Sequence, residues 1–123
     1  MAKHNDIGKW GEQIAVDRLV RDGCAIVERN WHSGHYEVDI IAMRGPRMVF
    51  VEVKTRSDSA DDAFRAFDRR KMLRLVRSAN SYITSYNIDL DIEFDLFVIT
   101  GTEESYEVEH IPDFQMPLFR LSR

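Results

Sequence analysis

The sequence predicts an α/β fold in which a mixed β-sheet is flanked by helices, in the order α-β-β-β-α-β-β. Three observations carry that reading. Two segments with apolar residues at helical spacing frame short runs of strong β propensity. A Gly-Pro turn joins two of those runs closely enough for an antiparallel hairpin. A further β run follows the second helix, where parallel pairing with an earlier strand is plausible. A chain of 123 residues with 44% apolar and 31% charged residues suits one globular domain. Residues 1–123 are read as that domain, with 112–123 as a C-terminal tail.

The first helix is expected over 6–22. Ile7, Trp10, Gly11, Ile14, Ala15 and Arg18 recur at helical spacing, Asn5 or Asp6 can cap its start, and Gly23 can end it. Cys24 to Glu28 suits a first strand, and Asn30 to His35 reads as a loop. Residues 36–42 and 48–54 form the next two strands across Arg44-Gly45-Pro46. Ser57 to Asp62 is polar and expected to be mobile. A long helix follows at about 66–86, with Met72, Leu75, Val76, Ala79, Tyr82, Ile83 and Tyr86 as its apolar positions. Ile92 to Ile99 makes a fourth strand. Tyr106 to Ile111 makes a fifth, after a turn at Gly101.

Net charge is −4, so the molecule as a whole is no basic nucleic-acid binder. The distribution says more. Six basic residues (Arg65, Arg69, Arg70, Lys71, Arg74 and Arg77) lie between Arg65 and Arg77, whereas Asp89 to Glu109 holds eight acids and no Lys or Arg. Such asymmetry gives one face a positive field, or else it is a solvated helix followed by solvated strands. The single cysteine, Cys24, cannot form an internal disulfide. The N-terminus has no apolar signal-peptide core, and no apolar run approaches the ~18 residues that span a bilayer. A cytoplasmic, soluble protein is expected.

The chemistry concentrates on two strands. Residues two apart on a strand share a face, so Glu37 pairs with Asp39, and Glu52 with Lys54, with Arg56 next in line. Val49, Val51 and Val53 form the opposite, core-facing side. Carboxylates beside a buried strand are costly without compensation. A divalent cation between Asp39 and Glu52 would supply it, and hard oxygen ligands suit Mg²⁺ or Mn²⁺. Phosphodiester cleavage uses such parts: a cation to polarise the phosphate and a nearby ammonium, Lys54, to stabilise charge. The bland alternative is a cross-strand salt bridge from Asp39 or Glu37 to Lys54.

The segments Gly8-Lys9-Trp10-Gly11-Glu12, Arg29-Asn30-Trp31, Glu37-Val38-Asp39-Ile40-Ile41-Ala42 and Phe50-Val51-Glu52-Val53-Lys54-Thr55-Arg56 resemble the YraN-like family. It is an uncharacterised bacterial family, described as endonuclease-like and related to the Holliday junction resolvases. More broadly they resemble the PD-(D/E)xK nuclease superfamily, over about residues 6–100. The resemblance implies a restriction-endonuclease-like fold. It implies Asp39 and Glu52 as metal ligands, with the backbone carbonyl of Val53 a further candidate. It makes Lys54 the catalytic lysine and Glu12 an additional acid, and Lys71 falls where the family tends to have a basic residue. The proline-aspartate pair is Val38-Asp39 here. The Gln-x-x-x-Tyr motif of exonuclease relatives is not evident.

Other residues have simpler readings. His32 and His35 lack further ligands for zinc and are expected as exposed loop residues. Cys24 suits core packing, as does Trp10; Trp31 is core or a base-stacking platform. Arg56, Arg70, Lys71 and Arg74 are candidate phosphate contacts. The leading expectation is a Mg²⁺- or Mn²⁺-dependent nuclease acting on DNA, branched or single-stranded. The alternatives are a non-catalytic nucleic-acid-binding module on the same fold and a protein-interaction domain. Phe114, Met116, Leu118, Phe119 and Leu121 either fold back over the sheet or help build a homodimer, and a weak or moderate homodimer is expected.

Overall fold

The computed structural model describes residues 2–57 and 69–114, with side chains from Lys9 onward. Helix α1 spans Ala2–Arg21, followed by β1 (Ala25–Ser33), β2 (Tyr36–Arg44) and β3 (Arg47–Arg56). Helix α2 spans Arg69–Ser85 and leads to β4 (Asp91–Thr102) and β5 (Ser105–Ile111). The described strands form one sheet in the order β1-β2-β3-β4-β5, antiparallel throughout except for the parallel β3–β4 pair. This mixed sheet with the two helices of the described residues is the α/β, restriction-endonuclease-like architecture expected from the sequence.

The helix ends follow local chemistry. At the end of α1, Gly23 adopts a left-handed φ of 97°, Cys24 N donates to Leu19 O at 2.9 Å and Gly23 N to Val20 O at 3.0 Å. That paired pattern closes the last turn. At the end of α2, Asn87 does the same work with φ 54°, and Ile88 N donates to Ile83 O at 3.0 Å. The start of α1 differs from expectation: the helix runs back to Ala2, so Asn5 and Asp6 lie inside it. No Pro or Gly between Ala2 and Ile7 interrupts it. The expected polar stretch at 58–62, the first residues of the 66–86 helix and the apolar tail beyond Phe114 lie outside the described residues.

The sheet is buried on both faces. Ile40, Ala42, Val49, Val51 and Phe97 pack against Ala15, Val16 and Leu19 of α1. Ile41, Met48, Phe50, Phe94, Leu96 and Val98 pack against Met72, Leu75, Ala79 and Tyr82 of α2. Each fully buried large apolar side chain contributes about 1.5–3 kcal/mol, so β3, with Val49, Phe50 and Val51 all at 0% exposure, anchors the molecule. A Cβ on Gly11 would clash with Thr55 Oγ1, so the missing side chain lets α1 lie close on the end of β3. Cys24 is buried, as expected, whereas Trp10 is only half-buried and packs on Tyr106. Phe114 is buried in the α2-side core, so the first apolar residue of the tail folds back on its own sheet.

One expected loop is strand. Residues 30–33 continue β1, pairing Trp31 with Val38 and Ser33 with Tyr36 across a two-residue loop. Trp31 drives this: it is 6% exposed and meets Tyr82 edge-on at 5.2 Å, which settles it as a core residue.

Candidate active site

β2 and β3 pair from Arg44↔Arg47 only as far as Ile40↔Val51. Beyond that point they diverge, while β3 stays paired with β4 as far as Arg56↔Thr100. Asp39 and Glu52 flank the opening of this fork. The Val53 N–H, released from the ladder, donates to Asp39 Oδ2 at 2.8 Å. The divergence has a visible origin in β1. Asn30 takes a left-handed φ of 53°. Arg29 pairs with Ile40 and Trp31 with Val38, yet Ile40 faces α1 while Trp31 and Val38 face α2. Residues two apart on a regular strand share a face, so the alternation inverts at Asn30 and Asp39. The regular alternation assumed in setting Glu37 beside Asp39 is interrupted here, yet the Glu37 charge still acts on both Asp39 and Glu52. Glu37 is an exposed residue whose carboxylate lies 3.5 Å from His32 and whose N–H donates to buried Ser78.

The fork concentrates negative charge. Burial pushes the Asp39 carboxyl up to about 6, against the lowering effect of the Val53 N–H; the nearby Glu12 and Glu37 add to the rise. Burial, then repulsion from Asp39, pushes Glu52 up to about 8. These are carboxylates whose ionised forms lack compensation inside the protein. Lys54 sits along the same face. Its ammonium is held below the usual lysine range, first by hydrogen bonding with Lys71, then by burial. Two amines therefore meet beside Glu52, one from β3 and one from the first turn of α2. Arg56 is half-buried at the end of β3, and Arg70 and Arg74 are exposed on α2.

Glu12 stands one step behind the pair. It is 8% exposed, accepts a hydrogen bond from Asn30 Nδ2 at 2.9 Å, and lies 3.7 Å from Arg29. Burial raises its proton affinity, and these two partners oppose the rise. Among the described residues no group of three or more His, Cys, Asp or Glu side chains converges as a metal site. The donors at the fork are the carboxylates of Asp39 and Glu52 and the Val53 backbone, all oxygen chemistry suited to a hard cation. His32 and His35 are both exposed, and His35 packs on Tyr36.

Two features escaped the sequence reading. Two acids of β4 are not solvated: Glu93 and Asp95 are buried, on the α1 side of the sheet at its other end, while Asp91 at the strand start is exposed. Arg44 Nη2 donates to Asp95 Oδ2 at 2.6 Å and its Nη1 to Glu93 Oε1 at 2.8 Å, while Arg47 donates to Glu93 at 2.6 Å. His110 Nε2 meets Asp95 at 2.7 Å and Asp113 N donates to it at 3.0 Å. Two acids alternating with Phe97 on a core strand were the signal that partners had to exist. The second feature, Asn30, had only the tolerance of asparagine for left-handed backbone as a clue.

The uncharacterised protein family UPF0102 matches residues 11–99 of the chain. A UPF0102 protein of Bacteroides thetaiotaomicron is 40% identical over 121 residues, 97% of this chain and 100% of its own length. One from Bacteroides fragilis is 43% identical over 122 residues, again 97% and 100%. A third, from Flavobacterium psychrophilum, is 39% identical over 114 residues, 92% of this chain and 96% of its own. The matched stretch holds Glu12, Asn30, Asp39, Glu52, Lys54 and Lys71, and the chain belongs to the uncharacterised UPF0102 family, the YraN-like family its motifs resemble.

Proposed function

We propose that the protein is a metal-dependent nuclease that cleaves phosphodiester bonds in DNA. One observation carries the reading: two half-buried carboxylates, Asp39 and Glu52, each with raised proton affinity, open onto the Lys54–Lys71 amine pair at one fork in the sheet. Buried acids that repel one another are costly to keep unless a cation offsets them, and strongly perturbed groups gather at functional sites. Asp39, Glu52 and the Val53 carbonyl would hold Mg²⁺ or Mn²⁺. When bound there, such a cation would supply Lewis acidity toward a phosphodiester and toward an attacking water.

The protein's own groups do the rest. The Lys54 ammonium stabilises charge developing on the phosphate oxygens. Lys71 and Arg56 hold the same phosphate group or its neighbour. Arg70, Arg74 and Arg77 are exposed on α2 and make no ion pair among the described residues. Spaced over seven residues, they extend ~10 Å along the helix from Lys71, giving a strand's phosphates a track away from the fork. Glu103, Glu104, Glu107 and Glu109 are exposed at β5 and repel the strand from that side.

The test is cleavage of branched, single-stranded and duplex DNA with Mg²⁺ or Mn²⁺, comparing the wild type with Lys54→Ala and Asp39→Asn. Metal-dependent cutting by the wild type alone supports the proposal. Equal cutting by all three assigns it to a contaminant. DNA binding without cutting on any substrate replaces the enzyme with a binding module.

A further inference from the structure

Asn30 performs no chemistry in the reading above, yet it combines two uncommon features at the place where the fork begins. Its backbone is left-handed in the middle of a strand, a conformation seldom adopted outside Gly, Asn and Asp. Its side-chain amide donates at 2.9 Å to Glu12, an acid 8% exposed on a different element. Asn30 falls between the Arg29↔Ile40 and Trp31↔Val38 pairs, across from Asp39 in β2, so its amide ties Glu12 to the strand position facing Asp39. The surrounding contacts extend this connection. Arg29, next in β1, lies 3.7 Å from Glu12 and donates to Gln13 at 3.1 Å, and Gln13 donates to Asp17 one turn further along α1.

We propose that Asn30 is a positioning residue: its amide fixes the Glu12 carboxylate toward Asp39, so that Glu12 acts as a backing charge for a divalent cation held by Asp39 and Glu52. This rests on the metal-binding reading of the fork and deepens it. The left-handed backbone explains why an asparagine does the work. The same turn of the chain that inverts the strand alternation and opens the fork also aims the amide at α1. Glu12 is held behind the pair, consistent with the lack of a converging three-acid group among the described residues. Its contribution is then charge at short range rather than direct ligation. A side chain that lost this hold would keep its charge but not its direction.

The experiment is Mn²⁺ titration by calorimetry on the full chain, for wild type, Asn30→Gly, Glu12→Gln and the double variant. Glycine accepts the left-handed backbone, so Asn30→Gly removes the amide without straining the strand. Glutamine in place of Glu12 still accepts from Asn30 but carries no charge. Each single variant is expected to weaken Mn²⁺ about 3- to 10-fold, and the double variant no further, because Asn30 acts through Glu12. Undiminished Mn²⁺ affinity in Asn30→Gly, or losses that multiply in the double variant, overturns the positioning role. No Mn²⁺ binding by the wild type at millimolar metal instead removes the metal reading, and this inference with it. A second measurement needs no variant to fold. Substoichiometric Mn²⁺ should broaden the Asn30 side-chain amide resonance of the wild type more than that of exposed Asn87 at the far end of α2; equal broadening of the two overturns the placement.

Discussion

The same sheet buries acidic residues at two ends and treats them in opposite ways. At the β4 end, burial by itself would push the Asp95 carboxyl up. The hydrogen bonds from His110, Arg44 and Asp113 outweigh burial and hold it below the usual carboxylate range. At the fork, Asp39 and Glu52 are pushed up to about 6 and about 8, with one backbone N–H and two crowded amines for company. Both pairs sit on or beside β3 and β4, and Val51, the neighbour of Glu52, pairs with Asp95. Location in the core therefore does not decide the difference; the supply of donors does. Structural charges are satisfied internally. The charges left in tension are the ones that the proposed function assigns to an external cation.

Removing a partner at the satisfied end should have the largest effect. Arg44→Ala leaves Asp95, whose side chain is 0% exposed, short of its charged partner, and should cost about 3–5 kcal/mol in urea unfolding. A loss below about 1 kcal/mol would show that His110 and the Asp113 N–H suffice.

At the fork the pattern should reverse. Lys54→Ala should lower metal-dependent cleavage by about 100-fold or more while unfolding changes by less than about 0.5 kcal/mol. A destabilisation matching that of Arg44→Ala would make Lys54 a structural partner of Glu52 and erase the contrast.

The two ends should also respond to pH with opposite sign. Raised carboxyls bind protons more tightly in the folded protein than in the unfolded chain. Their stabilising effect is complete below about pH 4.5 and is lost as pH rises through about 6 and about 8. The metal-free protein should therefore lose stability between pH 5 and 8, on the order of 2 kcal/mol, and Mn²⁺ should restore it at pH 8. Asp95 is lowered, so its contribution is present above its ordinary value of 3.8 and lost as pH falls below it. Unfolding curves from pH 3 to 8 with and without Mn²⁺ measure both arms; a flat profile between pH 5 and 8 would deny the tension at the fork.

The smallest effect is expected from Asp39→Asn. Its side-chain oxygen can still accept from Val53 N, while the repulsion with Glu52 disappears. The metal-free variant should be more stable at pH 8 by about 1 kcal/mol, and Mn²⁺ should no longer raise its melting temperature. Lower stability in the metal-free variant would mark Asp39 as a salt-bridge partner.

Much of this was legible in the sequence because it depends on local order. Apolar spacing gave α1 and α2, β propensity gave the core of β3, and Gly45-Pro46 gave the hairpin. The two-residue rule set Lys54 beside Glu52. What failed was non-local. Residues 30–33 read as loop because Trp31 finds its reason to be strand in Tyr82, far along the chain. Glu93 and Asp95 read as solvated because their partners, Arg44, Arg47 and His110, lie on three other segments. The twist at Asn30 upset the face assignment around Asp39, since alternation assumes a regular strand.

The parallel β3–β4 pairing bears on how the molecule is made. Two-residue loops join β1, β2 and β3, so their ladders close through contacts near in sequence. β4 reaches β3 only after the chain has passed through α2, and closing so long a loop is the slow part of building such a sheet. Glu12, Asn30, Asp39, Glu52 and Lys54 all precede α2. The acidic side of the fork thus lies in the part of the chain joined by contacts near in sequence. Lys71 and the Arg44–Asp95 bond arrive with the crossover. Burial, the largest cause of the raised Asp39 and Glu52 carboxyls, is complete only when α2 and β4 have packed on the sheet. The tension at the fork therefore develops with the crossover, and a divalent cation would relieve it at that stage.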